Sequence, residues 1–176
     1  MLAGKTIANL AARLPQATNF VRVMPNTPAA VGRGAAAGAA SVHVTARQKT
    51  WTERLMRAVG VFEWVSDESL IDAVTALSGS GPAYAFALVE AMAKAGEAVG
   101  LPSDLAMRLA RATVEGAGEL MHREPKVSAA QLRINVTSPA GTTAAALAVL
   151  QAADGLEALM TRAVAAAHFR AGELAG

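Results

Sequence analysis

Val61 to Tyr84 reads VFEWVSDESLIDAVTALSGSGPAY, and the chain changes character inside this stretch. Val61 to Val65, with Trp64 within it, is a β-prone run. Ser66, Asp67 and Glu68 then supply the N-cap and acidic first turn of a helix over 67–77. Ser78-Gly79-Ser80-Gly81 breaks that helix, and Pro82 falls where the first turn of a new one tolerates it. Strands and helices are mixed before this point, and only helices are expected after it.

Working back from Val61, a helix is expected over 46–59, and Gly32 to Val44 is a Gly- and Ala-rich segment ending in Ser41-Val42-His43-Val44, which reads as a closely packed strand. Phe20 to Met24 is another strand, stopped by Pro25 and Pro28 with Asn26 in the turn between them. Gly4 to Arg13 places Ile7, Leu10 and Ala11 on one helical face ahead of Pro15. The three strands look like one edge of a larger sheet.

Working forward, the helix begun at Pro82 reaches Ala98, and Gly100 stops it. Pro102 and Ser103 start another that runs to His122, and Ser128 with Gln131 forms a capping box for a shorter one. Thr137 to Gly141, containing Pro139, is a break before a helix to Ala153 and a last one over Leu156 to Leu174. In that last helix Leu156, Leu159, Met160, Ala163 and Ala167 make a stripe expected to be buried. Alanine dominates throughout, which favours helix and lets helices approach closely.

The composition excludes several classes of protein. With 53% hydrophobic and 17% charged residues over 176 positions, the chain is no disordered tail, and its apolar helix faces can pack on each other or on a partner. Net charge is only +2, basic residues are scattered singly and aromatics are 4%, so no nucleic-acid surface is expected. There is no cysteine, and the three histidines, His43, His122 and His168, share no metal-ligand spacing, so no metal site is expected. Every apolar run is interrupted before it could span a bilayer and no leader pattern opens the chain, which predicts no membrane association and a cytoplasmic protein.

The segment richest in possible chemistry is Asn135-Val136-Thr137-Ser138-Pro139-Ala140-Gly141-Thr142-Thr143. It leads into a helix whose first amides are free, and such an N-terminus accepts a carboxylate or phosphate. The hydroxyls of Ser138, Thr142 and Thr143 add neutral donors. A plain N-cap needs the same residue types and no ligand, and composition alone favours that reading. Asp104, Glu115, Glu119 and Glu157 read as solvated charges, and no G-x-G-x-x-G follows a strand.

Three ordered motifs nevertheless resemble one family. Arg22-Val23-Met24-Pro25-Asn26-Thr27-Pro28-Ala29, Leu70 to Tyr84, and Val136 to Thr143 together look like pyrroline-5-carboxylate reductase, and Gly100-Leu101-Pro102 before a long helix fits it too. The resemblance implies a mainly α fold. Residues 1–65 would be a short α/β remnant of a Rossmann domain. Residues 66–176 would be an interlocking helical dimerisation and substrate-binding domain, similar to the C-terminal domain of 6-phosphogluconate dehydrogenase. It also implies reduction of 1-pyrroline-5-carboxylate to L-proline with NADPH or NADH by a homodimer or higher oligomer. The family's cofactor domain and its glycine-rich phosphate loop precede the part seen here, so the isolated chain is expected to be inactive.

Carried over by position, Ser138, Gly141, Thr142 and Thr143 would hold the substrate carboxylate, with Thr143 as the catalytic hydroxyl near the ring nitrogen. Asn26, Glu68 and Asn135 would approach the cofactor. The family usually has Ser-Pro-Gly-Gly where this chain has Ser138-Pro139-Ala140-Gly141, so a positive φ at Ala140 would strain the loop. Two alternatives stand beside this reading: a non-catalytic helical dimerisation module, and the helical domain of another two-domain dehydrogenase, against which the Ser78 to Tyr84 motif counts.

Overall fold

The computed structural model describes residues 4–175, so the outermost ends of the two expected domains, residues 1–3 and 176, lie outside the described residues. Residues 4–82 with 162–175 form one compact unit, and 83–161 form a second.

The first unit opens with α1 (Ile7–Arg13), whose start is fixed by a capping box. Thr6 Oγ1 accepts from the Asn9 amide while Asn9 Oδ1 accepts from the Thr6 amide, at 3.1 and 3.2 Å. Next come β1 (Val21–Met24), a 3-10 turn over Thr27–Val31, β2 (Gly34–Ala40), α2 (Ala46–Arg57) and β3 (Gly60–Trp64). A second capping box, Thr45 with Gln48, starts α2. In the sheet β2 is central: β1 lies antiparallel to it and β3 parallel, with Val21 opposite Ala40 and Gly34 opposite Gly60.

The central strand is made of Gly and Ala because aromatic rings lie across it. A Cβ at Gly38 would meet the Phe62 ring at 2.7 Å, and Phe62 itself packs edge-on to Trp64 with centroids 5.0 Å apart. Trp64 donates its Nε1 proton to Glu53 of α2 at 2.6 Å, which ties that helix to the sheet. Phe20, Ala37, Ala39, Phe62, Ile71, Ala76 and Ala171 form this unit's buried core.

Two expectations about this unit need correction. Ser41 to Val44 is a turn, with Val42 exposed, and the strand is the Gly/Ala run before it. Ser41 ends the strand by taking the Phe20 amide on its hydroxyl and donating that hydroxyl to the Thr18 carbonyl. The helix after β3 also starts late: α3 is Leu70–Val74, and Ser66 does not cap it. Asp67 turns the chain instead, its carboxylate accepting from the Ser69 amide at 2.8 Å while its carbonyl accepts from Leu70.

The break expected at Ser78 to Gly81 is a change of helix type. Thr75–Gly79 forms a π-turn that closes with the Ser80 amide bonded to the Thr75 carbonyl at 2.8 Å, and α4 (Gly81–Ala98) starts immediately after it.

The second unit, 83–161, contains most of α4, then α5 (Ser103–Arg123), α6 (Ala129–Asn135), α7 (Thr142–Leu150) and the start of α8 (Leu156–Ala175). Ser128 caps α6 by accepting from the Gln131 amide at 3.1 Å. The reciprocal half of the expected capping box is missing, because the Gln131 side chain donates to Asn135 instead. On α5, Asp104 and Glu115 are exposed and Glu119 is half-buried, and each pairs with an arginine one turn away at 2.7 Å. The Glu115 partner, Arg111, has its guanidinium held above its ordinary value by that bond.

Within the second unit the buried apolar residues are Ala93, Ala106 and Ala110. Phe86, Leu88, Met107, Leu109, Leu120, Met121 and Leu150 are all exposed. A groove of about 370 Å³ between α4 and α5 is lined by Phe86, Val89, Met107 and Val114, with Glu90, Arg111 and Glu115 at its rim. The stripe expected to be buried on α8 is not: Leu156 and Leu159 are exposed within the single chain, and Met160, Ala163 and Ala167 are half-buried. Their spacing makes an apolar face, but burying such a face needs a neighbour.

Candidate functional site

The loop before α7 is built as a tight turn. Gly141 donates its amide to the Ser138 carbonyl at 3.1 Å, Pro139 holds the second position, and Ala140 holds the third with φ of 56°. Proline second and a left-handed residue third define a type II turn. Among the described residues Ala140 is the one non-glycine with positive φ, so the sequence-based concern about its methyl group is met in the structure. Gly141 is sterically required, since a Cβ there would collide with Ser138 Oγ.

Gly141 is also the N-cap of α7, and with no side chain it caps nothing. The first helical bond runs from the Ala145 amide to the Gly141 carbonyl, so the amides of Thr142, Thr143 and Ala144 precede the ladder. Among the described residues the hydroxyls of Ser138, Thr142 and Thr143 have no hydrogen-bond partner. Thr143 and Gly141 are half-buried while Ser138 and Thr142 are exposed. Uncapped amides, a helix dipole behind them and unsatisfied hydroxyls can take a carboxylate without any titrating group.

Asn135 ends α6, six residues before the Gly141 N-cap, and its Oδ1 accepts from Gln131 at 2.8 Å. Ser138, Gly141, Thr142 and Thr143 are therefore brought together by one turn, with Asn135 just upstream on its own helix.

Asn26 and Glu68 belong to the other unit, and both have hydrogen-bond partners there. The Asn26 carboxamide accepts from the Ala35 amide at 2.8 Å and donates to the Ser78 carbonyl at 3.0 Å, pinning the start of β2 to the π-turn. Glu68 Oε1 accepts from Arg22 at 3.0 Å and from the first amide of α1, that of Ile7, at 2.8 Å. Arg22 also faces Asp72 at 3.8 Å, making a half-buried cluster of one guanidinium and two carboxylates. Sequence reading missed Arg22, because 46 residues separate it from Glu68 and spacing carries no signal at that range. Among the described residues no glycine-rich strand-to-helix turn offers amides to a pyrophosphate, so the residues present do not make a dinucleotide cradle.

A strand-bearing unit with Phe20 and Phe62 buried, and an alanine-rich helical unit with exposed apolar faces and an uncapped helix N-terminus, define the class as a helical association domain. The pyrroline-5-carboxylate reductase dimerisation family matches residues 68–174, and the chain belongs to the pyrroline-5-carboxylate reductase family. It is 48% identical over 173 residues to the pyrroline-5-carboxylate reductase of Pseudomonas aeruginosa, a match covering 98% of this chain and 63% of that protein. A solved pyrroline-5-carboxylate reductase from Coxiella burnetii superposes with a TM-score of 0.91 at 44% identity, over 99% of this chain and 64% of that one. The Plasmodium falciparum pyrroline carboxylate reductase, solved with NADP bound, superposes with a TM-score of 0.81 at 29% identity, over 99% of this chain and 69% of that one. The chain thus spans a little under two thirds of the length of the Pseudomonas and Coxiella proteins. Among the described residues no helix is long and apolar enough to cross a membrane.

Proposed function

We propose that this chain supplies the dimerisation and substrate-binding part of a cytoplasmic pyrroline-5-carboxylate reductase, the enzyme that reduces 1-pyrroline-5-carboxylate to L-proline. The observation that carries the reading is the turn from Ser138 to Thr143, with its uncapped amides and unpartnered hydroxyls. In this reading the amides ahead of the α7 ladder hold the substrate carboxylate, and Ser138 and Thr142 orient it. Thr143, as the catalytic hydroxyl, hydrogen-bonds the ring nitrogen. It holds the imine in one orientation and stays bonded to the amine that forms, which needs alignment and no perturbed pKa.

Reducing the imine would take a hydride donor, NADPH or NADH by resemblance to the family. Because the described residues do not form a dinucleotide cradle, no step is assigned through the donor. Of the positions that resemblance places near a cofactor, Asn26 and Glu68 are held by backbone and arginine partners, which supports a framework role for them. Residues 66–176 make the functional domain of this proposal, and a second copy of the chain is its partner. The exposed apolar faces support that partner, since the helical unit 83–161 buries only alanines and has large side chains left to cover.

Those same faces also fit a helical dimerisation module without catalytic work, and ligand binding separates the two readings. Calorimetric titration with L-proline and a saturated ring-carboxylate analogue is expected to show saturable binding. Thr143→Ala should weaken it about three- to tenfold, the size of one hydrogen bond to a ligand. A folded dimer that binds neither compound would favour the association module.

A further inference from the structure

We infer that Ala140 is a positioning residue that sets how often the Ser138 to Thr143 loop rests in its carboxylate-accepting form; the inference rests on the carboxylate reading of that loop. An L-residue third in a type II turn brings its Cβ against the following carbonyl, a penalty glycine does not carry. The bond from the Gly141 amide to the Ser138 carbonyl is equally compatible with a type I turn, in which the third residue has negative φ and proline is still favoured second. The two turns differ by a flip of the Pro139–Ala140 peptide, which exchanges the faces presented by the Pro139 carbonyl and the Ala140 amide.

Little besides the closing bond holds the turn in its observed form. Ser138, Pro139 and Ala140 are all exposed, and the Ser138 hydroxyl has no partner among the described residues. The left-handed turn also seats Ser138 Oγ against Gly141, the residue that opens α7 beside the amides of Thr142 and Thr143. The Ala140 methyl group therefore sets a balance between two turns at the entry to the loop. A ligand that needs the left-handed form loses affinity in proportion to the time the loop spends in the other.

Ala140→Gly removes the penalty and Ala140→Val increases it. Proline is the probe, titrated into the wild-type chain and both variants, with the Cα and Cβ chemical shifts of residue 140 read by NMR in wild type and Ala140→Val. The expected result is binding about two- to fivefold tighter in Ala140→Gly, weaker in Ala140→Val, and a shift of residue 140 towards left-handed values as wild type saturates. Equal affinity in all three chains, or shifts already left-handed and unmoved by ligand, would overturn the inference about Ala140 while leaving the loop a carboxylate site. No saturable binding in any of the three would overturn the carboxylate reading itself, and this inference with it.

Discussion

The strand-bearing unit and the helical unit solve the burial problem in opposite ways. In the first, Phe62 and Ile71 are each 1% exposed, and glycine and alanine on β2 make room for the rings. The second is richer in leucine and methionine on its helices, yet its buried residues are Ala93, Ala106 and Ala110, and Phe86 is 64% exposed. Small residues have been placed where helices of the same chain meet, and large ones where they do not. Hydrophobic content alone therefore does not say where a core lies: the first unit buries large side chains of its own while Trp51, Leu55 and Phe169 stay exposed, and the second buries only alanines and leaves its large side chains for another molecule to cover.

Equivalent substitutions in the two units sharpen that contrast. Phe62→Ala should cost about 3–5 kcal/mol, the price of an emptied aromatic site in a close-packed core, and shift chemical denaturation accordingly. Phe86→Ala should leave denaturation of the dilute chain nearly unchanged but weaken self-association about tenfold or more, as read by concentration-dependent light scattering. If Phe86→Ala instead destabilised the dilute chain as much as Phe62→Ala, the distinction between the units would fail.

The smallest expected effect is electrostatic and local to the start of α3. Hydrogen bonds from Ser69, side chain first and then amide, hold the Asp67 carboxyl below its ordinary 3.8. A group whose folded value is depressed contributes stability above its unfolded value and loses it as the pH falls through the folded one. Wild type should therefore exceed Asp67→Asn slightly in thermal stability above pH 3.8, with the difference fading in stronger acid. A difference that grew on acidification would contradict the Ser69 bonding.

Local chemistry made most of the fold legible. Proline, glycine and cap residues placed α2, α4, α5 and α8 within a few residues of their observed ends. What misled was nonlocal. The Ser41 to Val44 run has β-branched residues, yet the strand is the Gly/Ala stretch, because Phe62 and Trp64 demand small neighbours from across the sheet. The π-turn could not be read from Thr75 to Gly79, since the donor on its Ser78 carbonyl is Asn26, 52 residues earlier. At the candidate site the loop was legible because an uncapped helix start and its hydroxyls are contiguous in sequence. The Arg22, Glu68 and Asp72 cluster was not, for the same reason as the π-turn: tertiary pairing leaves no spacing to read.

Completion of the helical unit by a second copy of this chain is open to sedimentation equilibrium of the wild-type chain across micromolar concentrations. A dimer or a larger assembly of dimers is expected. A folded, monodisperse monomer over that whole range would contradict it.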